Sequence, residues 1–158
     1  MSKTQLAYLA GVLDSDGTIG IKKATYSMRV IGDSTQPTYS ERIHVRQVER
    51  AALELFSAIF GGNIGSEKPS TRRGRMLWRW GLTDAKAASA LRELLPFLRI
   101  KRQQAKNCLT LRAIKERSKR KRVAKGRGHI GSSPRTAEFS SAMESCYLEA
   151  KRLNHVGV

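Results

Sequence analysis

The chain has 158 residues, one domain's worth or two very small ones, and its 40% apolar content supports a core and excludes a wholly disordered chain. Thirty Lys and Arg against thirteen Asp and Glu leave a net charge of +17, which points to a polyanionic partner, nucleic acid first. The one long apolar run, Leu6 to Leu13, is too short to span a bilayer and lacks signal-peptide flanks, and two cysteines, Cys108 and Cys146, suit buried thiols in a reducing compartment, so membrane proteins, disulfide scaffolds and Cys-based zinc fingers are excluded and a basic intracellular protein is expected.

Residues 4–14 predict a helix, capped by Thr4, with Leu6, Leu9, Ala10 and Leu13 at helical spacing. Strand signals follow at 18–31 and 38–48, separated by the turn cluster GDSTQP. The second strand alternates cleanly: Tyr39, Ile43 and Val45 against Arg42, His44 and Arg46. The first changes parity between Ile19 and Ile21 and the later Tyr26, Met28 and Val30, which predicts a bulge near Lys22 and Lys23. Residues 49–60 predict a second helix with Ala52, Leu55, Phe56 and Ile59 inward and Gly61 and Gly62 at its end. Two more strands are expected at 63–68 and 74–82. In the latter Met76, Trp78, Trp80 and Leu82 share one parity, which assigns the tryptophans to the core rather than to base stacking. Asp84 is expected to cap a helix over 85–95 that buries Ala88, Leu91 and Leu95, and a fourth helix runs over 101–117. Residues 119–135, basic and rich in Gly and Ser, read as a loop. Residues 136–155 form an amphipathic helix with Phe139, Met143, Cys146, Ala150 and Leu153 on one stripe.

The order α-ββ-α-ββ-α-α-α predicts an α+β fold: a four-stranded antiparallel sheet, helices on one face, a basic face exposed, and extra C-terminal helices. The expected organisation is a core over 1–117, a basic loop over 118–135, and a helix over 136–158 packed on the core.

Leu9 to Gly17, LAGVLDSDG, is the most informative stretch. Asp14 and Asp16 fall at the C-terminal end of a helix, where partial negative charge disfavours carboxylates. Pairing with Lys or Arg would relieve this; so would a bound cation, and oxygen ligands favour a hard ion such as Mg2+. A calcium loop fails on spacing, because Ile19 and Thr25 stand where Gly and Glu are needed. Ala7, Ala10, Gly11 and Ser15 are small, although Gly inside a helix costs about 1 kcal/mol. Small residues let two helix backbones approach. If the partner is the same helix of a second chain, a two-fold axis brings the Asp16 side chains together.

These residues resemble the signature helix of the LAGLIDADG homing endonucleases. The likeness spans roughly residues 4–117 and implies that family's α-ββ-α-ββ-α core. Residues 96–105, PFLRIKRQQA, resemble the segment carrying the family's catalytic-pocket lysine, which falls on Lys101. Val45-Arg46-Gln47 resembles the strand end carrying its water-positioning glutamine, which falls on Gln47. Asp16 is the implied metal ligand and catalytic acid residue, with the backbone carbonyl of Ser15 beside it, although many members have Ala or Gly there. A single signature resembles the homodimeric members, with Ala7, Ala10, Gly11 and Asp14 at the interface. The resemblance thus implies a site-specific double-strand DNA endonuclease that uses Mg2+, with Mn2+ or Ca2+ able to substitute for binding. It further implies short 3′ overhangs, an intron-borne gene, intron RNA as a further partner, and residence in the compartment that holds the gene.

On the exposed sheet face the expected DNA contacts are Lys22, Arg42, His44, Arg46, Ser66, Lys68, Arg75 and Arg79, with Lys119 and Arg120 from the basic loop. Strands of about ten residues span roughly 33 Å, about 10 bp per subunit, so a dimer would cover a near-palindromic site of about 20 bp. Residues 99–127 hold thirteen Lys or Arg and one acid, Glu116, and read as phosphate anchors. His129 and His155 have no ligand spacing and receive no role. Two rivals stand beside the nuclease: a non-cleaving binder of the same fold, intron maturase or transcription regulator, and a ribosomal-type RNA-binding protein. Asp16 and Lys101 speak against the first, and the acidic pair at a helix end against the second.

Overall fold

Ser2, rather than Thr4, starts the first helix, α1 (Lys3–Asp16). Its hydroxyl accepts the Gln5 N–H at 3.1 Å while the Gln5 side chain accepts the Ser2 N–H at 3.0 Å, a reciprocal capping box. The helix runs on to Asp16, so both aspartates lie in its last turn, and β1 (Gly17–Ala24) follows directly. The hinge residue has to be glycine. A Cβ at Gly17 would sit 2.3 Å from Leu13 Cδ1 and 2.7 Å from the Leu13 carbonyl oxygen. The computed structural model describes residues 2–24, 36–68, 74–118, 122–124, 130–132 and 135–156.

β1 pairs with β2 (Thr38–Gln47), β2 with β4 (Leu77–Thr83), and β4 with β3 (Asn63–Glu67), all antiparallel, in the order β1-β2-β4-β3. The β1–β2 register is unbroken from Gly17 opposite Val45 to Ala24 opposite Thr38. There is therefore no bulge at Lys22 and Lys23, which face Ser40 and Tyr39; the residues that suggested one, 26, 28 and 30, lie outside the described residues.

Among the described residues four more helices follow: α2 (Ala51–Phe60), α3 (Asp84–Leu94), α4 (Arg102–Arg117) and α5 (Ala137–Val156). The main core joins Leu9 and Leu13 of α1, Ile19, Ile43, Val45, Trp80 and Leu82 of the sheet, Leu53 and Phe56 of α2, and Leu91 and Leu94 of α3. Each such side chain contributes roughly 1.5–3 kcal/mol by leaving water. Phe56 stacks on Trp80 with ring centroids 4.5 Å apart, and the Trp80 indole N–H donates to the Gly61 carbonyl at 2.8 Å. Trp78 shares the parity of Trp80 but is only partly covered, with the Arg50 guanidinium 4.5 Å from its ring; Met76 precedes the strand and is exposed. In α3 Leu91 and Leu94 are fully buried, and Leu95 is half-buried at the helix end.

Asp84 does not cap α3. The cap position is Thr83, Asp84 has a left-handed φ of 54°, and its carboxylate pairs with Lys115 of α4 at 2.8 Å. Lys115 also reaches Glu41 of β2 at 2.9 Å, as does Arg112 at 2.7 Å. Glu41 is fully buried on the core side of the sheet, among apolar neighbours by strand parity.

α5 lies on α4 and β1. Met143 and Cys146 join Leu111 and Tyr39 in a second apolar cluster, and Glu144 accepts from the Tyr39 hydroxyl and pairs with Lys23 at 2.7 Å. Cys108 and Cys146 are both free and buried, and burial pushes the Cys108 thiol up to about 12. Within the stretch expected to be loop, β5 (Arg122–Ala124) pairs with β6 (Ile130–Ser132). Strands of three residues are too short to show a period in sequence, and the dense basic charge hid the β-branched Val123 and Ile130. Among the described residues no helix is long and apolar enough to cross a membrane.

Candidate active site and nucleic-acid interface

The C-terminal end of α1 brings three distant segments together. The Gln47 side-chain amide, at the end of β2, donates to the Asp16 carboxylate at 2.9 Å. The Asp14 carboxylate accepts the backbone N–H groups of Arg99 at 2.8 Å, Ile100 at 3.2 Å and Lys101 at 2.9 Å. The Lys101 ammonium returns to α1, donating to the carbonyls of Leu13 at 3.0 Å, Asp14, and Ser15 at 3.4 Å.

This arrangement answers the electrostatic question that the acidic pair raises. The last-turn carbonyls carry the negative end of the helix dipole, that of Leu13 also accepting the Gly17 N–H, and Lys101 supplies the compensating cation. Asp14 meanwhile sits at the start of α4, where a carboxylate is favoured. Burial lowers the Lys101 pKa, while Asp14 and Asp16 oppose that shift. Asp16 is exposed beside this knot and free of ion pairing in it. Its carboxylate and the exposed Ser15 offer oxygen donors of the kind a hard divalent ion takes. Among the described residues no group of three or more His, Cys, Asp or Glu could hold a metal.

The small-residue surface of α1 is narrower than expected. Ala10 is fully enclosed in its own core and cannot meet a second chain, because its position faces the sheet along with Leu6, Leu9 and Leu13. The Asp14 carboxylate is turned inward to the 99–101 turn. Ala7 and Gly11 are exposed, next to Tyr8 at 54% exposure, and a Cβ on Gly11 would meet nothing within 4 Å.

On the sheet face opposite the helices, register sets Thr18 beside His44, Gly20 beside Arg42, and Arg46 beside Arg79; Lys22 lies on the same face. Ser66 does not, since it lies opposite Trp78 on the helix side. Its neighbour Glu67 takes the arginine face and pairs with Arg46 and Arg79, each at 2.9 Å. The sequence reading missed Glu67, although a lone acid between Ser66 and Lys68 was the available signal. Lys68 and Arg75 are exposed beyond the strand ends, and Lys119 and Arg120 lie outside the described residues. Burial, reinforced by Arg42, Arg46 and Arg79 and opposed by Glu67, lowers the His44 pKa to about 4, so this imidazole is neutral in a field of cations.

No protein-family model matches the sequence, and no curated protein matches it. Solved structures do. The archaeal intron-encoded homing endonuclease I-Vdi141I, complexed with DNA, is 15% identical, with 97% of this chain and 92% of that chain covered and a TM-score of 0.65. The homing endonuclease I-CvuI, in complex with its target in the presence of calcium, is 19% identical over 96% of this chain and 80% of that chain, with a TM-score of 0.64. The homing endonuclease I-TnaI is 15% identical over 95% and 93%, with a TM-score of 0.59. The chain therefore has the fold of the LAGLIDADG homing endonucleases, α+β with a four-stranded antiparallel sheet, as its signature helix implied.

Proposed function

We propose that the chain is a divalent-metal-dependent DNA endonuclease that cuts both strands of a long, near-palindromic site as a homodimer and leaves short 3′ overhangs. The observation that carries this reading is the convergence of Asp16, Gln47 and Lys101, from three separate segments, at the end of α1 beside the arginine-bearing sheet face. Mg2+ held by Asp16 and the Ser15 carbonyl would supply charge neutralisation at the scissile phosphate and a more acidic water, with Mn2+ or Ca2+ able to take its place in binding.

The chain's own groups do the rest. Gln47 fixes the Asp16 carboxylate by its amide N–H and has a carbonyl left to orient water. Lys101, held against α1 by its ammonium and by its backbone N–H, offers positive charge where negative charge develops on the phosphate. Packing of Ala7 and Gly11 against the same surface of a second copy would bring the two Asp16 carboxylates together. The arginine face reads base edges, and exposed cations of the 99–127 segment, not Lys101 or the Glu41-paired Arg112 and Lys115, grip phosphate. Intron homing, with the site lying in the intronless locus, completes the reading.

The test is a supercoiled plasmid library carrying randomised target inserts, incubated with and without Mg2+. Linear product from an enriched site, only with metal and with a 3′ overhang, is expected. Tight binding of one site with no cutting in Mg2+ or Mn2+ would replace the nuclease by a regulator or maturase.

A further inference from the structure

α5 does more than cover the core. Met143, Cys146 and Ala150 are buried against the rest of the chain, but the last turns of the helix reach the free edge of β1. There the Asn154 amide donates to the Ile19 carbonyl at 3.2 Å, satisfying an edge acceptor that no strand among the described residues pairs with. Gly20 permits this approach, because a Cβ there would lie 3.2 Å from the Asn154 nitrogen.

The helix thereby stands beside the sheet as a wall. Between wall and floor runs an open groove of about 400 Å3, with Lys22, Arg42 and His44 on the sheet side and Lys151, Asn154 and His155 on the helix side. None of the described lining residues is acidic. Lys23, also at the groove, is occupied by Glu144. Lys22 and Lys151 are exposed and make no salt bridge among the described residues, although the Lys151 charge is felt by Glu144, which is bonded to Lys23; the Lys151 ammonium lies 5.5 Å from the Tyr147 ring.

We propose that α5 is the outer wall of the DNA channel and that Lys151, facing Lys22 and Arg42 across the groove, clamps one sugar–phosphate strand of the duplex. The inference rests on the duplex-DNA reading above and adds to it a contact from an element off the sheet. Cations on both walls, with no acidic residue among the described lining, focus positive potential in the groove, which draws a polyanion in. The floor belongs to the same strand pair that carries Arg42 and His44, so a backbone in the groove continues alongside bases laid on the sheet. A contact of this kind contributes affinity without sequence preference.

The experiment uses the full chain and duplexes of several unrelated sequences, with affinity measured between about 50 and 200 mM salt. Lys151→Glu is compared with Lys86→Glu, which makes the same charge change on α3, an element packed against the other side of the sheet. Lys151→Gln guards against a folding defect, checked by thermal melting. Lys151→Glu and Lys151→Gln should weaken binding to every duplex by a similar factor and flatten the slope of log affinity against log salt by about 0.9, the loss of one phosphate contact. Lys86→Glu should keep the wild-type slope. If both Lys151 variants keep the wild-type slope, or lose affinity for one sequence alone, the clamp is wrong while the DNA reading stands. If the wild type binds no duplex at all, the DNA reading fails and the clamp with it.

Discussion

Asp14 and Lys101 hold each other at both ends. The Asp14 carboxylate accepts the Lys101 backbone N–H at 2.9 Å, and the Lys101 ammonium donates to the Asp14 main-chain carbonyl. The first aspartate of the signature thus acts on the site through the lysine. Asp14→Asn offers one acceptor oxygen in place of two and leaves at least one N–H of the 99–101 turn unpaired. The expected cost is ~1–3 kcal/mol, seen as a Tm lower by about 2–4 °C for each kcal/mol in a chain of this size. Cleavage should slow while DNA affinity holds. A variant that melts and cuts like the wild type would show that the turn does not depend on this carboxylate.

Gly11 is small for no reason inside its own chain, since its Cβ direction is open. Gly11→Leu should raise the intrinsic stability of α1 by up to about 1 kcal/mol through helix propensity. It should at the same time abolish the dimer. Sedimentation and thermal melting together decide: a folded monomer is expected, and an unaltered dimer would remove Gly11 from the interface.

Glu41 is fully buried between Arg112 and Lys115, and its Oε1 has no partner among the described residues. Removing the Glu41 charge leaves Arg112 and Lys115 with the more exposed Asp84, 4.0 Å and 2.8 Å away, as their carboxylate among the described residues. Glu41→Gln should destabilise the fold by about 3–5 kcal/mol, read from urea unfolding with an unchanged slope. A loss below about 1 kcal/mol would mean that water already relieves the cluster.

How far the sequence carried these conclusions depended on the length scale of each signal. The helices and the Tyr39–Val45 alternation were legible because they repeat a period over many residues. The LAGVLDSDG stretch was legible because its chemistry is unusual at a helix end. Glu41 and Ser66 were not: each has a residue type that composition assigns to one environment and a position that places it in another. Glu41 is buried because β2 parity puts it there and α4 brings two cations to it. Ser66 lies off the arginine face because register, fixed by Trp78 and Trp80 across β4, governs the face. The Asp14 bonds join residues some eighty-five positions apart, a relationship that no local pattern encodes.

His44 gives a pH dependence with a definite sign. Its folded pKa is about 4 against an ordinary 6.5, set first by burial and then by Arg42, Arg46 and Arg79, with Glu67 opposing. Lys22 and Lys151 add positive charge across the groove. The unfolded chain therefore takes up this proton first as pH falls, and the stabilising contribution present above 6.5 is lost on the way down to about 4. His44→Gln should flatten unfolding midpoints over that window. Imidazole NMR should show the free protein titrating near the low end and shifting upward on DNA, whose phosphates favour the charged form. Titration of the free protein near 6.5 would refute the buried, neutral histidine.

The last prediction separates cutting from binding. Asp16 is exposed, touches Gln47, and stands at the helix end where Lys101 already neutralises the carbonyls. Its carboxylate repels DNA unless a cation lies between them, so its proposed role is to hold metal rather than to hold DNA. Asp16→Asn keeps the size and the Gln47 neighbour but removes the charge. It should abolish Mg2+-dependent cleavage and leave metal-free binding equal or tighter. Lys101→Met removes the cation from among the carbonyls of Leu13, Asp14 and Ser15, so it should both slow cleavage and lower Tm. Calorimetric metal binding on DNA should survive in Lys101→Met and fail in Asp16→Asn. If Asp16→Asn cuts at the wild-type rate in Mg2+, the metal is held elsewhere and the site assignment is wrong.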